Sequence, residues 1–239
     1  MKAISFQWTT EVEPWEAEAV VSTVAHIQEI MVVLGQRAGL SLARAPLRPF
    51  GTWVIPNVPR GSPYWSSLWY VQQSLDKETG QVHGPRFIET VRNEPWQRAG
   101  PHYDVALLHF DLTERADRNV EGAGPPFVLS TFEPGLAAIL SVNRLREIQD
   151  RDARRVALRR LAINAFGHVL ELPRAGRTEA TTTVNGVLSC TNICAQRSAT
   201  DAASLLALAR EEDASRTIFC PHCTSDLLDH IVATHFHQN

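Results

Sequence analysis

Apolar and polar positions fall into a few clear periodic blocks along the 239-residue chain. Ile4, Phe6 and Trp8 alternate with polar neighbours within residues 1–13, and that period of two predicts an edge strand. Pro14 then opens a helix, since its missing N–H costs nothing at the first helical position. The helix is expected to run to Gly35 or Gly39, where glycine can end it. Its most apolar run, residues 17–34, is broken by Glu18, His26, Gln28 and Glu29. A membrane span needs about 20 largely apolar residues, so the pattern predicts a water-soluble helix. Residues 44–63 are rich in proline and glycine and read as loop, with a short strand at 52–55. Residues 66–75 read as helix, and 86–91 as a short extended or helical piece.

The second half is more sharply patterned. Residues 103–110 (YDVALLHF) form an apolar run between Gly100-Pro101 and Asp111, as expected of a buried strand. Residues 127–132 form another, after the loop 121–126, and residues 137–142 a third that leads into Asn143-Arg144-Leu145. A long helical pattern follows at 150–172, with Val156, Leu158, Leu161, Ala162, Ala165, His168, Val169 and Leu172 near one face and Pro173 as its stop. Its other face carries Arg151, Arg154, Arg155, Arg159 and Arg160 and reads as solvated. Two short helices are expected at 202–210 and 225–233. The sum is an α/β fold of the α+β kind, a mixed sheet packed on the Pro14 and Asp150 helices. One domain over residues 1–239 accommodates it.

Composition narrows the function classes. The chain is 44% hydrophobic and 21% charged, an ordinary globular balance. The net charge of −3 argues against a chain-wide nucleic-acid footprint. Met1 to Trp8 lacks a basic start followed by an apolar core, so no secretory signal is read and a cytoplasmic setting is expected, with no membrane partner. There, cysteines serve as metal ligands or thiols more often than as disulfides.

All four cysteines fall into one pattern. Cys190 and Cys194 form a C-x3-C pair, and Cys220 and Cys223 (CPHC) a second pair after 25 intervening residues. Each short spacing lets two thiolates from one turn face a common point, which predicts a tetrahedral structural zinc site, one ion per chain. Four sulfurs leave no open position for water, so the site is not catalytic. His222, inside the second pair, is a further potential donor. A thioredoxin-like role for CPHC would need the motif just after a strand near the start of a βαβ unit.

The segment LRRLAINAFGHVLELPRAG, residues 158–176, adds a resemblance. Taken with YDVALLHFD at 103–111, SVNRL at 141–145, Cys190 with Cys194, and FCPHC at 219–223, it resembles the archaemetzincin family of metzincin-type zinc peptidases. The resemblance covers roughly residues 100–225, and residues 1–99 match only loosely. The metzincin helix carries H-E-x-x-H-x-x-G-x-x-H, two histidines one turn apart on zinc, a glutamate base, and a glycine turn to a third histidine. At the corresponding positions this chain has Asn164 for the first histidine and Ala165 for the glutamate. His168 keeps the second histidine, Glu171 replaces the glycine, and Arg174 replaces the third histidine. Gln196 falls where the family's turn has methionine, and about a dozen extra residues, 175–187, precede the first cysteine.

The resemblance therefore implies a metzincin-like fold whose peptidase machinery is degenerate, because one histidine cannot hold a catalytic zinc and no carboxylate takes the water proton. The implied protein is a pseudo-peptidase with a structural zinc and a binding or regulatory role. Asn164, His168 and Glu171 share a helix face, so with Arg174 they form a candidate ligand site for a peptide or acidic ligand. Glu179, or His230, His235 and His237 of the tail, could complete a non-standard metal set and with it an active hydrolase, although the tail reads as a solvated end. A third reading is a zinc-containing module that binds nucleic acid or protein through Arg151, Arg155 and Arg159. No aromatic residue interleaves with that stripe in the sequence.

Overall fold

The structure is a computed structural model that describes residues 1–55, 57–114 and 126–237, with side chains to residue 235. The loop expected at 121–126 lies outside the described residues except for Pro126, and so does the side chain of His237.

Apolar runs build a central five-stranded mixed sheet. Strand β1 (Ile4–Trp8) pairs in parallel with β2 (Leu47–Gly51) on one side and with β4 (Tyr103–Leu108) on the other. Strand β4 pairs in parallel with β7 (Ala137–Ser141), and β6 (Ser130–Glu133) closes the far edge antiparallel to β7. Outside this sheet, β3 (Val82–His83) and β5 (Leu112–Thr113) pair with each other, and β8 (Thr181–Val184) and β9 (Val187–Cys190) form a hairpin.

Seven α-helices cover the sheet among the described residues. Helices α1 (Pro14–Arg37) and α5 (Arg151–Val169) cover one face, and Leu227 and Ile231 of α7 (Pro221–His237) join the same core. Helix α6 (Ala202–Ser215) adds Ala202 and Leu205 to it. Helices α2 (Ser67–Ser74) and α3 (Gly84–Arg92), with the short α4 (Pro95–Ala99), cover the other face. Strand β4 divides its side chains accordingly: Tyr103, Val105 and Leu107 enter the first core, Ala106 and Leu108 the second. Asp104 shares the second face by the same alternation.

Local chemistry explains the main helix ends. Pro14 starts α1, where the Glu13 N–H donates to the Glu16 carboxylate at 2.9 Å. Asp150 caps α5 by accepting from the Ala153 N–H at 2.6 Å. Helix α1 is long and apolar enough to cross a membrane by length and composition alone, with a mean hydropathy of 1.4. Its buried side chains, Val20, Val24, Ile27 and Met31 among them, pack into the first core.

Several expectations need correction. Strand β1 is not an edge strand, because β2 pairs outside it, and Ser5 and Gln7 are buried along with its apolar residues. Strand β2 lies in the proline-rich text read as loop; its Pro49 is tolerated on an edge, where a missing donor faces no partner. Residues 52–55 form no strand, only a single bridge from Trp53 to Ser66. Residues 86–91 belong to helix α3, and α4 and the β8–β9 hairpin were not anticipated. Strand β6 starts later than residue 127 and is only half-buried, while α6 and α7 are longer than the apolar periodicity suggests. The arginine face of α5 is not uniformly solvated: Arg160 is buried against Glu212, Nη2 to Oε1 3.2 Å.

Candidate metal centre and the motif helix

The four cysteines converge. Strand β9 ends on Cys190, Cys194 follows in the next turn, Cys220 immediately precedes α7, and Cys223 lies in its first turn. All four are buried and unbridged. Their sulfurs lie 3.6–4.1 Å apart. Four thiolates around one ion at about 2.3 Å have sulfur–sulfur edges of about 3.8 Å, so the spacing is that of a tetrahedral metal site. The protons tell the same story: hydrogen bonds from Cys194 and Cys223 pull the Cys190 thiol down, while Cys194 and Cys223 are pushed up by the sulfur they face. Thiols this close cannot all ionise without a cation among them.

A cationic and hydrogen-bonding surround is already in place. Both terminal nitrogens of Arg177 lie 3.5 Å from Cys223 Sγ, and Arg177 is also paired with Asp226. The Cys220 N–H donates to Cys194 Sγ at 3.4 Å. Arg177 carries no periodic signal and was missed. The hairpin that delivers Cys190 was missed as well, although Asn185-Gly186 between Val184 and Val187 is a two-residue turn signature, and both take positive φ, 51° and 82°. His222 is outside the sulfur cluster; its Nδ1 lies 3.8 Å from Glu179, which is therefore beside the cysteines rather than beside His168.

The motif helix is divided. Asn164 and His168 face a cavity of about 80 Å³, also lined by Phe132, Arg160 and the hairpin residues Val184 and Asn185. Glu171 and Arg174 face a different cavity of about 650 Å³, together with Lys2, Asp226 and Asp229. The four residues thus do not share one pocket. Ala165 is buried in the first core. The Asn164 amide donates to the Ala195 carbonyl at 2.9 Å. Arg174 is exposed and paired with Asp229, Nη1 to Oδ2 2.9 Å. Three carboxylates in that larger cavity offset Arg174 and Lys2, so it is not selective for an acidic ligand.

His168 stacks on Phe132 with ring centroids 4.1 Å apart and planes 6° from parallel. Among the described residues its nitrogens find no hydrogen-bond partner. Burial, with the nearby Arg160 charge, holds the imidazole neutral and lowers its pKa to about 3. Glu171 has φ of 64°, and the chain turns there. Gln196, fully buried, donates to the Ile163 carbonyl at 3.2 Å and presses against Gly167, where a Cβ would lie 2.1 Å from its Nε2.

The other resemblance segments also meet. The Arg144 guanidinium donates to Asp111 through Nη2 at 2.6 Å and Nε at 3.0 Å, and Asn143 Nδ2 adds a bond at 2.8 Å. The tail is not simply a solvated end: His230 is partly buried between Tyr103 Oη, 3.3 Å away, and Glu171, 3.9 Å away. His235 lines a separate, mostly apolar pocket with Met1 and Met31. The arginine stripe does have an aromatic partner, supplied by α1: Arg151, Arg154 and Arg155 lie 5.1, 5.9 and 5.6 Å from the Trp15 ring centre. No family model matches this chain, and no curated protein matches it.

Proposed function

We propose that the chain is a degenerate archaemetzincin-like protein, proteolytically inactive, with zinc in the cysteine cluster and a binding or regulatory role. The observation that carries this reading is what the replacement residues do. Asn164, at the first ligand position, is committed to the Ala195 carbonyl, and Arg174, at the third, points to Asp229 in another cavity. His168 is left alone, stacked and neutral.

Two further features support the family reading. Glu171 takes the left-handed backbone that a turning glycine supplies at that position. Gln196, at the position of the turn methionine, underlies the motif helix at Gly167. The extra residues 175–187 contribute Val184 and Asn185 to the wall of the small cavity beside His168. Zinc suits four thiolates in a tetrahedron, a donor set that iron shares.

Metal counting on the purified chain tests the proposal. Cys220→Ser should lose one ion, identified as zinc, and His168→Ala should lose none. Loss of an ion from His168→Ala, together with peptide hydrolysis by the wild type, would overturn the inactive reading in favour of a non-standard ligand set.

A further inference from the structure

The second core, on the sheet face away from α1 and α5, holds a cluster of buried acids that the motif helix does not touch. Glu94, His102 and Asp104 are each at most 4% exposed. One donor atom from each lies within 4.8 Å of the others. Neither carboxylate contacts a lysine or arginine among the described residues. Two uncompensated carboxylates inside a core are costly.

The hydrogen bonds around the cluster leave three donor atoms facing one another. His102 Nδ1 lies 2.9 Å from the Gly100 carbonyl, an acceptor only, so Nδ1 carries the proton and Nε2 offers a lone pair. That Nε2 lies 3.2 Å from Asp104 Oδ2, without the alignment of a hydrogen bond. A proton shared between Asp104 and His102 would need that alignment. Glu94 Oε1 accepts from the Tyr70 hydroxyl at 2.5 Å; Oε2 is buried without a well-aligned hydrogen bond, and the Trp96 indole is the carboxylate's other polar neighbour. Gln97 Nε2 donates to Asp104 Oδ2 at 3.0 Å, and the His102 N–H donates to Gln97 Oε1 at 2.8 Å. This is how metal ligands are commonly held: imidazole oriented by a carbonyl, carboxylates steadied by outer hydrogen bonds. Tetrahedral N and O ligands at about 2.0–2.1 Å from an ion lie about 3.3 Å apart, close to the observed histidine–aspartate separation of 3.2 Å.

We propose that Glu94, His102 and Asp104 form a second, buried site for a divalent cation, one imidazole and two carboxylates, separate from the cysteine cluster. The donor set suits a borderline or hard ion, Zn²⁺ or Mn²⁺, rather than a soft one. With all three ligands buried, no path brings a substrate to the ion. The site is structural: it neutralises the acids and ties the loop before β4 to the Glu94 turn that follows α3. This proposal is independent of the reading of the motif helix.

The test is a metal count on the full chain after equilibration with Zn²⁺, Mn²⁺ or Co²⁺, read by native mass spectrometry. Wild type should bind two ions. Asp104→Asn, nearly isosteric and neutral, should bind one. Glu94→Gln should also bind one, and it serves if the aspartate variant does not fold. In the Co²⁺ form, the ion lost from either variant should be the one without thiolate-to-cobalt charge-transfer absorption. A wild-type chain whose Co²⁺ is all thiolate-bound by its charge-transfer absorption, or a folded Asp104→Asn chain that retains every ion of the wild type, would show that the acids are protonated instead and overturn the proposal. An ion lost from His168→Ala bears on the motif helix alone.

Discussion

Glu171 holds a backbone conformation, φ 64°, that costs an L-residue about 1–2 kcal/mol. Its carboxylate is exposed and gains little from His230, 3.9 Å away. Glycine would relieve the strain but adds about 0.5–1 kcal/mol of unfolded-state entropy. Glu171→Gly should therefore stabilise the chain by about 0.5–1 kcal/mol, read from urea unfolding; destabilisation would mean that the carboxylate matters more than the turn. His168 gives a pH signature. Its pKa falls from an ordinary 6.5 to about 3 on folding, by burial first and Arg160 second. Below pH 6.5 the unfolded chain takes up a proton that the folded one refuses, so this contribution to stability is whole above that pH and is lost as pH falls toward 3. At pH 5 the loss should reach about 2 kcal/mol. His168→Phe preserves an aromatic ring for the stack on Phe132 and removes the titration. Unfolding free energies of the two chains should diverge between pH 7 and 5, and parallel curves would refute a buried neutral His168.

At the scale of elements, α5 rests on the turn that carries Cys194 through one close approach. Gly167 in a helix would ordinarily gain about 1 kcal/mol on replacement by alanine. Here the new Cβ meets the Gln196 amide, whose Nε2 would be 2.1 Å away and whose side chain is fully buried. Gly167→Ala should instead destabilise by about 1–3 kcal/mol, the range for overpacking. Gln196→Ala in the same chain should recover most of that loss, and a double-mutant cycle on chemical unfolding reads the coupling. What was legible divides along the same line. Strands β4 and β7 were visible as unbroken apolar runs, because every residue of each is buried, and helices α1 and α5 by the long helical spacing of their apolar positions. Strand β2 was hidden, since an edge strand with Pro49 lacks that pattern. The cysteine site was legible because its residue type is rare in this chain and its spacing is short. Arg177, Gln196 and the Glu94–His102–Asp104 cluster were not, because their roles arise from contacts between segments distant in sequence. Arg160 misled for the same reason: a helical face predicts solvent only until another helix, here α6 with Glu212, lies across it.

For the whole molecule, the cysteine cluster joins parts that the two apolar cores leave loosely attached. The β8–β9 hairpin is half-exposed and contributes to neither apolar core; Cys190, at its end, belongs to the cysteine cluster. Helix α7 contributes Leu227 and Ile231 to the first core, but its first turn is fixed by Cys220 and Cys223. An ion there would hold the hairpin, the turn beneath α5 and the start of α7 at one point. A ligand bound a thousandfold more tightly than its free concentration requires contributes about 4 kcal/mol, or about 8–16 °C of unfolding midpoint for a chain of this size. Adding a strong chelator should lower the midpoint by that amount and expose all four thiols to alkylation. Limited proteolysis should then cut first within residues 175–200, before any cleavage in β4 or β7, since both strands are buried in the sheet interior. Thiols that stay protected under chelation, with an unchanged midpoint, would mean that packing alone closes this end of the molecule and that the cysteines hold no ion.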